Sequence, residues 1–339
     1  MVRVELILLA AMMVWLLIPV SVGAKEPKPE LSTIAVHHEN VLEERLGFGL
    51  PNKLVSNASK RKIINRWVKM YNSADISEAD RIFTQDFVPH FPVPGLLGIV
   101  DRASYLNSIS NPPVLNFHLT IEDLFGIDDE LVIRFTSAAT WPTGTPYTNT
   151  GIVFIRFQNG LIAEEWWDLD VLGVLEQVGQ MPPTRPANAY SWSVPSSVRG
   201  FSSGPGQNAS LACRAIMAAA SAHDYEQWST MASVHFIEHD PANWYVVDRD
   251  SEIMRIQAVG AAFPEMHVMI EDVVAVEDRV AIRMRLSGTQ LGPLGSLPAT
   301  NMHATWTASF IVRIAGGKMV ESWWSLDTLG MLQQLTSPQ

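Results

Sequence analysis

Hydrophobic positions along the chain follow two rhythms, and both occur twice in the same order. Residues 60–72 and 211–222 carry apolar side chains at helical spacing, and residues 102–109 and 250–260 predict a further helix in each half. After these the period falls to two. Residues 116–127, 130–141, 147–157 and 161–169 predict four strands, with counterparts at 265–276, 279–290, 302–314 and 318–326. Asp128-Asp129, Glu277-Asp278, Asn159-Gly160 and Gly316-Gly317 fit two-residue hairpin turns between them. Asp75 with Glu78 has the spacing of a capping box and predicts another short helix. Asp170 and Asp327 precede final helices predicted to start at Val171 and Thr328, where a carboxylate can accept from the first free N–H groups. Helices followed by an antiparallel meander make an α+β domain, here in two copies.

The duplication is visible in the letters themselves. EEWWDLDVLG at 164–173 returns as ESWWSLDTLG at 321–330. Upstream, His90 matches His239, His118 matches His267, Asp123 matches Asp272 and Arg134 matches Arg283, every pair 149 residues apart. At the Trp-Trp pairs the distance is 157, so the second copy holds extra residues, assigned to the Gly- and Pro-rich segment GTQLGPLGSLPATN. The reading is therefore a first domain at 58–180, a Pro/Ser/Gly-rich linker at 181–208 and a second domain at 209–339.

Composition narrows the setting. The formal charge of −11 and the absence of a basic run argue against nucleic acid as a partner. Residues 1–24 combine Arg3, an uncharged apolar run and the small residues Ser21 to Ala24, which predicts a secretory signal, and residues 25–57 form a leader. A retained anchor is the alternative; with cleavage, the protein is secreted or periplasmic and leaves the membrane. Cys213 is the single cysteine, so no internal disulfide forms, and it reads as a small core residue on a helix. Asn57-Ala58-Ser59 and Asn208-Ala209-Ser210 match the glycosylation acceptor pattern. No histidine or cysteine spacing suggests a metal, no glycine-rich loop suggests a phosphate cofactor, and no nucleophile elbow is present.

Helices followed by a curved sheet, closed by EEWWDLDVLGVLEQVG and ESWWSLDTLGMLQQL, resemble the SnoaL-like polyketide cyclases of the nuclear transport factor 2-like fold. The resemblance implies a cone-shaped α+β domain whose sheet curls around a pocket, and two such domains commonly pair through their sheets. A tandem chain would form that pair within itself. In the family's cyclases the strand carries Glu-His-Trp-Asp, and its acid/base aspartate falls on Trp167 and Trp324 here, with Glu165 and Ser322 at the histidine position.

Strand alternation puts Glu165 and Trp167 on one face and Glu164, Trp166 and Asp168 on the other. Glu165 is thus a candidate displaced general base in the first domain, and Asp168 a second candidate if a bulge shifts the register. Hairpin register sets Asp123 opposite Arg134, and Asp272 opposite Arg283. Each pair either lines the cone, with Arg orienting a substrate oxygen or water as in the limonene epoxide hydrolase-like branch of the fold, or bridges two strands. His90 and His239 lie at a strand end near the expected pocket mouth, while His118 and His267 read as packing or inter-domain residues. Trp167 and Trp324 either wall the pockets or divide the work with their neighbours, one indole under the helices and one between the domains. Two functions stay open: acid/base isomerase, cyclase or hydratase chemistry on a small, largely apolar molecule in the first domain, or a non-catalytic carrier or interaction scaffold.

Overall fold

The computed structural model describes residues 58–92, 99–182, 204–239 and 246–337. The signal, the leader, Asn57 and most of the linker lie outside these residues. No helix among the described residues is long and apolar enough to cross a membrane.

Domain 1 runs α1 (Ala58–Ser73), β1 (Phe83–His90), α2 (Arg102–Ser110), β2 (Leu115–Ile127), β3 (Glu130–Thr140), β4 (Pro146–Gln158), β5 (Leu161–Leu169) and α3 (Val171–Gln177). Domain 2 repeats the plan with α4 (Pro205–Ile216), α5 (Tyr225–Met231), β6 (Ala232–His239), β7 (Val246–Asp248), α6 (Arg249–Ala262), β8 (His267–Val276), β9 (Arg279–Thr289), β10 (His303–Ala315), β11 (Lys318–Leu326) and α7 (Thr328–Thr336). The eight predicted strands appear within about two residues of their predicted ends. Asn159-Gly160 and Gly316-Gly317 all have positive φ, the geometry that a tight hairpin demands. Asp170 and Asp327 cap α3 and α7, accepting from the N–H groups of Gly173 and Gly330.

Four expectations change. The sheets are mixed, not purely antiparallel: β1 joins β5 in parallel and β6 joins β11 in parallel, giving the orders β1-β5-β4-β3-β2 and β7-β6-β11-β10-β9-β8. Asp75 accepts from Ser77 N–H in a local turn, and only a single 3₁₀ turn, Ala79–Arg81, follows; its counterpart Asp224 does cap a helix, α5. Helix α4 begins at Pro205, inside the stretch assigned to the linker, because proline is pre-set for a first helical turn. Within it Asn208 is buried and donates to the Glu277 carbonyl at 2.8 Å, so a glycan cannot be accommodated there.

Each sheet packs its concave face on its own helices. Trp67, Phe83, Tyr105 and Trp167 belong to the first core, and Trp228, Phe236, Phe263 and Trp306 to the second. A third core joins the two outer sheet faces: Phe125, Val132, Ile152 and Phe154 of domain 1 meet Val274, Ala281, Ile311 and Trp323 of domain 2. Across it the Arg134 guanidinium lies 4.5 Å from the centre of the Trp323 ring, and Arg283 lies 4.6 Å from that of Trp166. Each indole also stacks on a histidine of its own domain, Trp166 on His90 and Trp323 on His239, nearly parallel at 2° and 3°. Arg279 adds an ion pair to Asp123 at 2.7 Å. Removing a buried indole from such a seam costs about 3–5 kcal/mol; Trp323→Ala should lose stability on that scale in urea unfolding, with both domains' spectroscopic probes shifting together.

Candidate functional site

The interior of domain 1 is built around one carboxylate. Glu165 is fully buried on β5 and accepts from Trp67 Nε1 at 2.7 Å, Trp167 Nε1 at 2.9 Å and the Tyr105 hydroxyl at 2.5 Å. Tyr105 in turn lies 2.5 Å from the Tyr71 hydroxyl, so Tyr71 donates to Tyr105 and Tyr105 to Glu165. Burial pushes the Glu165 carboxyl up to about 7 against the pull of its three donors. Burial and then the Glu165 charge raise both phenols well above their ordinary value, which keeps them protonated donors. The rings fill the space around the carboxyl: Trp167 stacks on Trp67 and Phe91 at 5.7 and 5.8 Å and meets Phe135 edge-on at 5.4 Å.

Domain 2 leaves that space open. Trp67 and Tyr71 of α1 correspond to Ile216 and Ala220 at the constant spacing of 149 residues, and α4 is followed by a π-helical turn, Met217–Ser221, whose last four residues are small. A cavity of about 110 Å³ results, walled by Ile216, Ala219, Ala220, Trp228, Phe310 and Trp324 among others, with Glu238, Glu252 and Arg255 at its polar part. Glu238 accepts from Trp324 Nε1 at 2.9 Å, Ser322 Oγ at 3.3 Å and Arg255 Nη2 at 2.7 Å. Arg255 also grips Glu252 with Nε and Nη2, both at 2.6 Å.

The carboxylate has therefore changed strands between the copies. In domain 1 the cross-strand pair is Pro89 on β1 with Glu165 on β5; in domain 2 the same pair is Glu238 on β6 with Ser322 on β11. The acid sits on opposite members of one register pair, and the aligned indoles Trp167 and Trp324 bond it in both places.

Two family matches account for the halves: residues 64–165 match the SnoaL-like domain and residues 210–335 the SnoaL-like polyketide cyclase. The chain is a tandem of SnoaL-like domains. Similar solved structures include AclR, a putative hydroxylase from Streptomyces galilaeus, at 21% identity and a TM-score of 0.37, covering 40% of this chain and 100% of that one. A putative SnoaL-like polyketide cyclase from Jannaschia sp. CCS1 is similar at 21% identity and a TM-score of 0.38, covering 42% and 100%. IdmH, a putative polyketide cyclase from Streptomyces antibioticus, is similar at 24% identity and 0.36, covering 39% and 99%. Among curated proteins none matches the chain.

Within the SnoaL-like cones the structure places Glu165 and Trp167 in domain 1 and Trp324 in domain 2. The remaining candidates are corrected to the outer faces. Asp123 and Arg134, and likewise Asp272 and Arg283, are register partners, but a bulge before each aspartate accompanies a turn of both pairs toward the domain seam. Asp168 is buried there too, accepting from Thr307 Oγ1 at 2.5 Å and from Ser309 Oγ of domain 2, and burial pushes it up to about 6. His90 and His239 bond Glu164 and Glu321 at 2.9 and 3.1 Å beside the seam indoles, away from either interior. His118 and His267 are exposed, not packed. Sequence reasoning missed Glu238, Glu252 and Arg255; the exchange of FVPH for FIEH was the available signal.

The Glu165 carboxyl binds its proton more tightly in the fold than in an unfolded chain. Between about pH 4.5 and 7 the unfolded state has released a proton that the folded state keeps, so this group's contribution falls as pH rises and is level above about 7, by roughly 3 kcal/mol in all. Glu165→Gln removes that dependence: the stability of wild type relative to the variant should decline across pH 4.5–7 in thermal melts, and a flat difference would contradict the assignment.

Proposed function

We propose that this tandem SnoaL-like chain holds a small, largely apolar molecule inside domain 2, the two domains working as one intramolecular pair. The cavity carries the reading: about 110 Å³, mostly carbon-lined, with polar side chains gathered on part of its wall to orient what enters. An apolar cavity of about 150 Å³ takes up benzene, so a single ring or a compact branched group is a guest of the size this one suits. The third core and the two crossed Arg–Trp contacts support the pairing.

A second reading, acid/base isomerase, cyclase or hydratase chemistry in domain 1, draws on Glu165, whose carboxyl near neutrality is tuned for proton transfer. A substrate would first have to displace the rings that enclose it. The carrier reading of domain 2 requires no such displacement.

Native mass spectrometry of the protein tests the first reading. A bound small molecule should accompany the wild type and be lost from Ala219→Leu, which fills the cavity from the π-helical turn; retention in the variant would move the ligand elsewhere. We also propose that residues 1–24 direct secretion or periplasmic export. Sequencing the N-terminus of protein recovered from its producing cells should begin at Lys25, whereas an intact first segment would favour the anchor.

A further inference from the structure

We propose that Asp168 and the two hydroxyls that hold it form a proton-operated clasp between the domains, which grips when the carboxyl is protonated and loosens when it is ionised. The clasp presupposes the intramolecular pairing of the two sheets. Asp168 is buried and projects from β5 of domain 1 into domain 2, where Thr307 Oγ1 donates to one carboxyl oxygen at 2.5 Å and Ser309 Oγ donates to the other. Both donors stand on β10, and among the described residues no lysine or arginine pairs with this acid. A hydroxyl can donate or accept, so turning one of the two lets the same seat receive a protonated carboxyl, which a guanidinium or a backbone N–H could not do. The contrast lies in the same seam: Asp123 is held by Arg279 at 2.7 Å, a partner that only donates.

Burial sets the direction of the switch. It pushes the Asp168 carboxyl up to about 6 from an ordinary 3.8, outweighing the two hydroxyl donors. From domain 2, Asp327 at the start of α7 raises it further, and Arg283 on β9 pulls the other way while bound to Glu271. On β11 stand the neutral Ser325 and Glu321, the latter held by His239 and Arg313. In its own sheet Glu164 is tied to Arg156 and His90, Ile152 lies opposite on β4, and Arg134 lies beyond it on β3. With the sheets apart the carboxyl returns to water and to its ordinary value. Its proton affinity is thus higher docked than undocked, so its contribution to docking is full below about pH 4 and is lost as pH rises through about 6.

Two matched thiols in the full chain test the clasp, with Cys213→Ala removing the native one. Val132 lies in the core between the sheets and Val153 in the core of domain 1, and each is replaced by Cys in a separate variant. Labelling rates are corrected for thiolate content with an unstructured control thiol. Val132→Cys should label faster than Val153→Cys, and its rate should rise about tenfold from pH 5 to 7. Asp168→Asn should flatten that rise, and Glu165→Gln, inside domain 1, should leave it. Histidines flank the seam as well, so only the part of the rise that Asp168→Asn removes belongs to Asp168. In protein with no substitution the Asp168 carboxyl carbon should titrate near 6 by NMR, a readout that needs no variant to fold. A rise that persists in Asp168→Asn or vanishes in Glu165→Gln, equal rates for the two thiols, or an ordinary carboxyl titration overturns the clasp and leaves the domains paired. Free labelling of Val132→Cys at every pH overturns the pairing along with it.

Discussion

Two adjacent residues on a strand must point to opposite faces, and this chain uses that constraint with its largest side chain, twice. In each WW pair the first indole leaves the domain and the second enters it. Trp166 and Trp323 form the seam, each stacked between a histidine of its own sheet and an arginine of the other. Trp167 and Trp324 turn inward and bond a buried carboxylate. One dipeptide thus ties the outer contact to the inner site. A one-residue slip of β5 or β11 would put the seam indole in the cone and the donor indole in the interface, losing both at once.

The interior sites show how few positions separate a carboxylate enclosed by rings from one at the wall of a cavity. The sheet scaffold and the inward indole persist, while Ile216 and Ala220 replace Trp67 and Tyr71 on the inner face of one helix. The carboxylate persists as well, though it crosses to the neighbouring strand, so what is kept is a position in space and not a position in the sequence. In domain 2 the acid acquires a guanidinium and a second acid; in domain 1 three neutral donors bond it, and burial raises its proton affinity.

Much of this was legible in the letters. Hairpin registers, the cap aspartates, the duplication and the inward placement of Glu165 all follow from local rules: turn residues fix pairing, and alternation fixes faces. The parallel strands β1 and β6 were not, because their partners lie far along the chain and no turn joins them. The Asp–Arg pairs were matched across strands, but their face stayed open between cone lining and strand bridging, since a bulge adds one residue without leaving a mark in the hydrophobic pattern. Glu238 escaped notice for a related reason. Its meaning depends on which residue stands beside it on β11, information that appears only when the strands are brought together.

The seam itself is unequal across its approximate two-fold. Asp168 accepts two hydroxyls from domain 2, and the residue at its counterpart is Ser325; Arg279 reaches Asp123, and its counterpart is Glu130, raised by burial and by the charge of Asp272. Two separate identical subunits would be obliged to repeat every such choice on both sides of their axis. Covalent fusion lifts that obligation, so a buried acid can be seated once instead of twice and the two interiors can be lined differently.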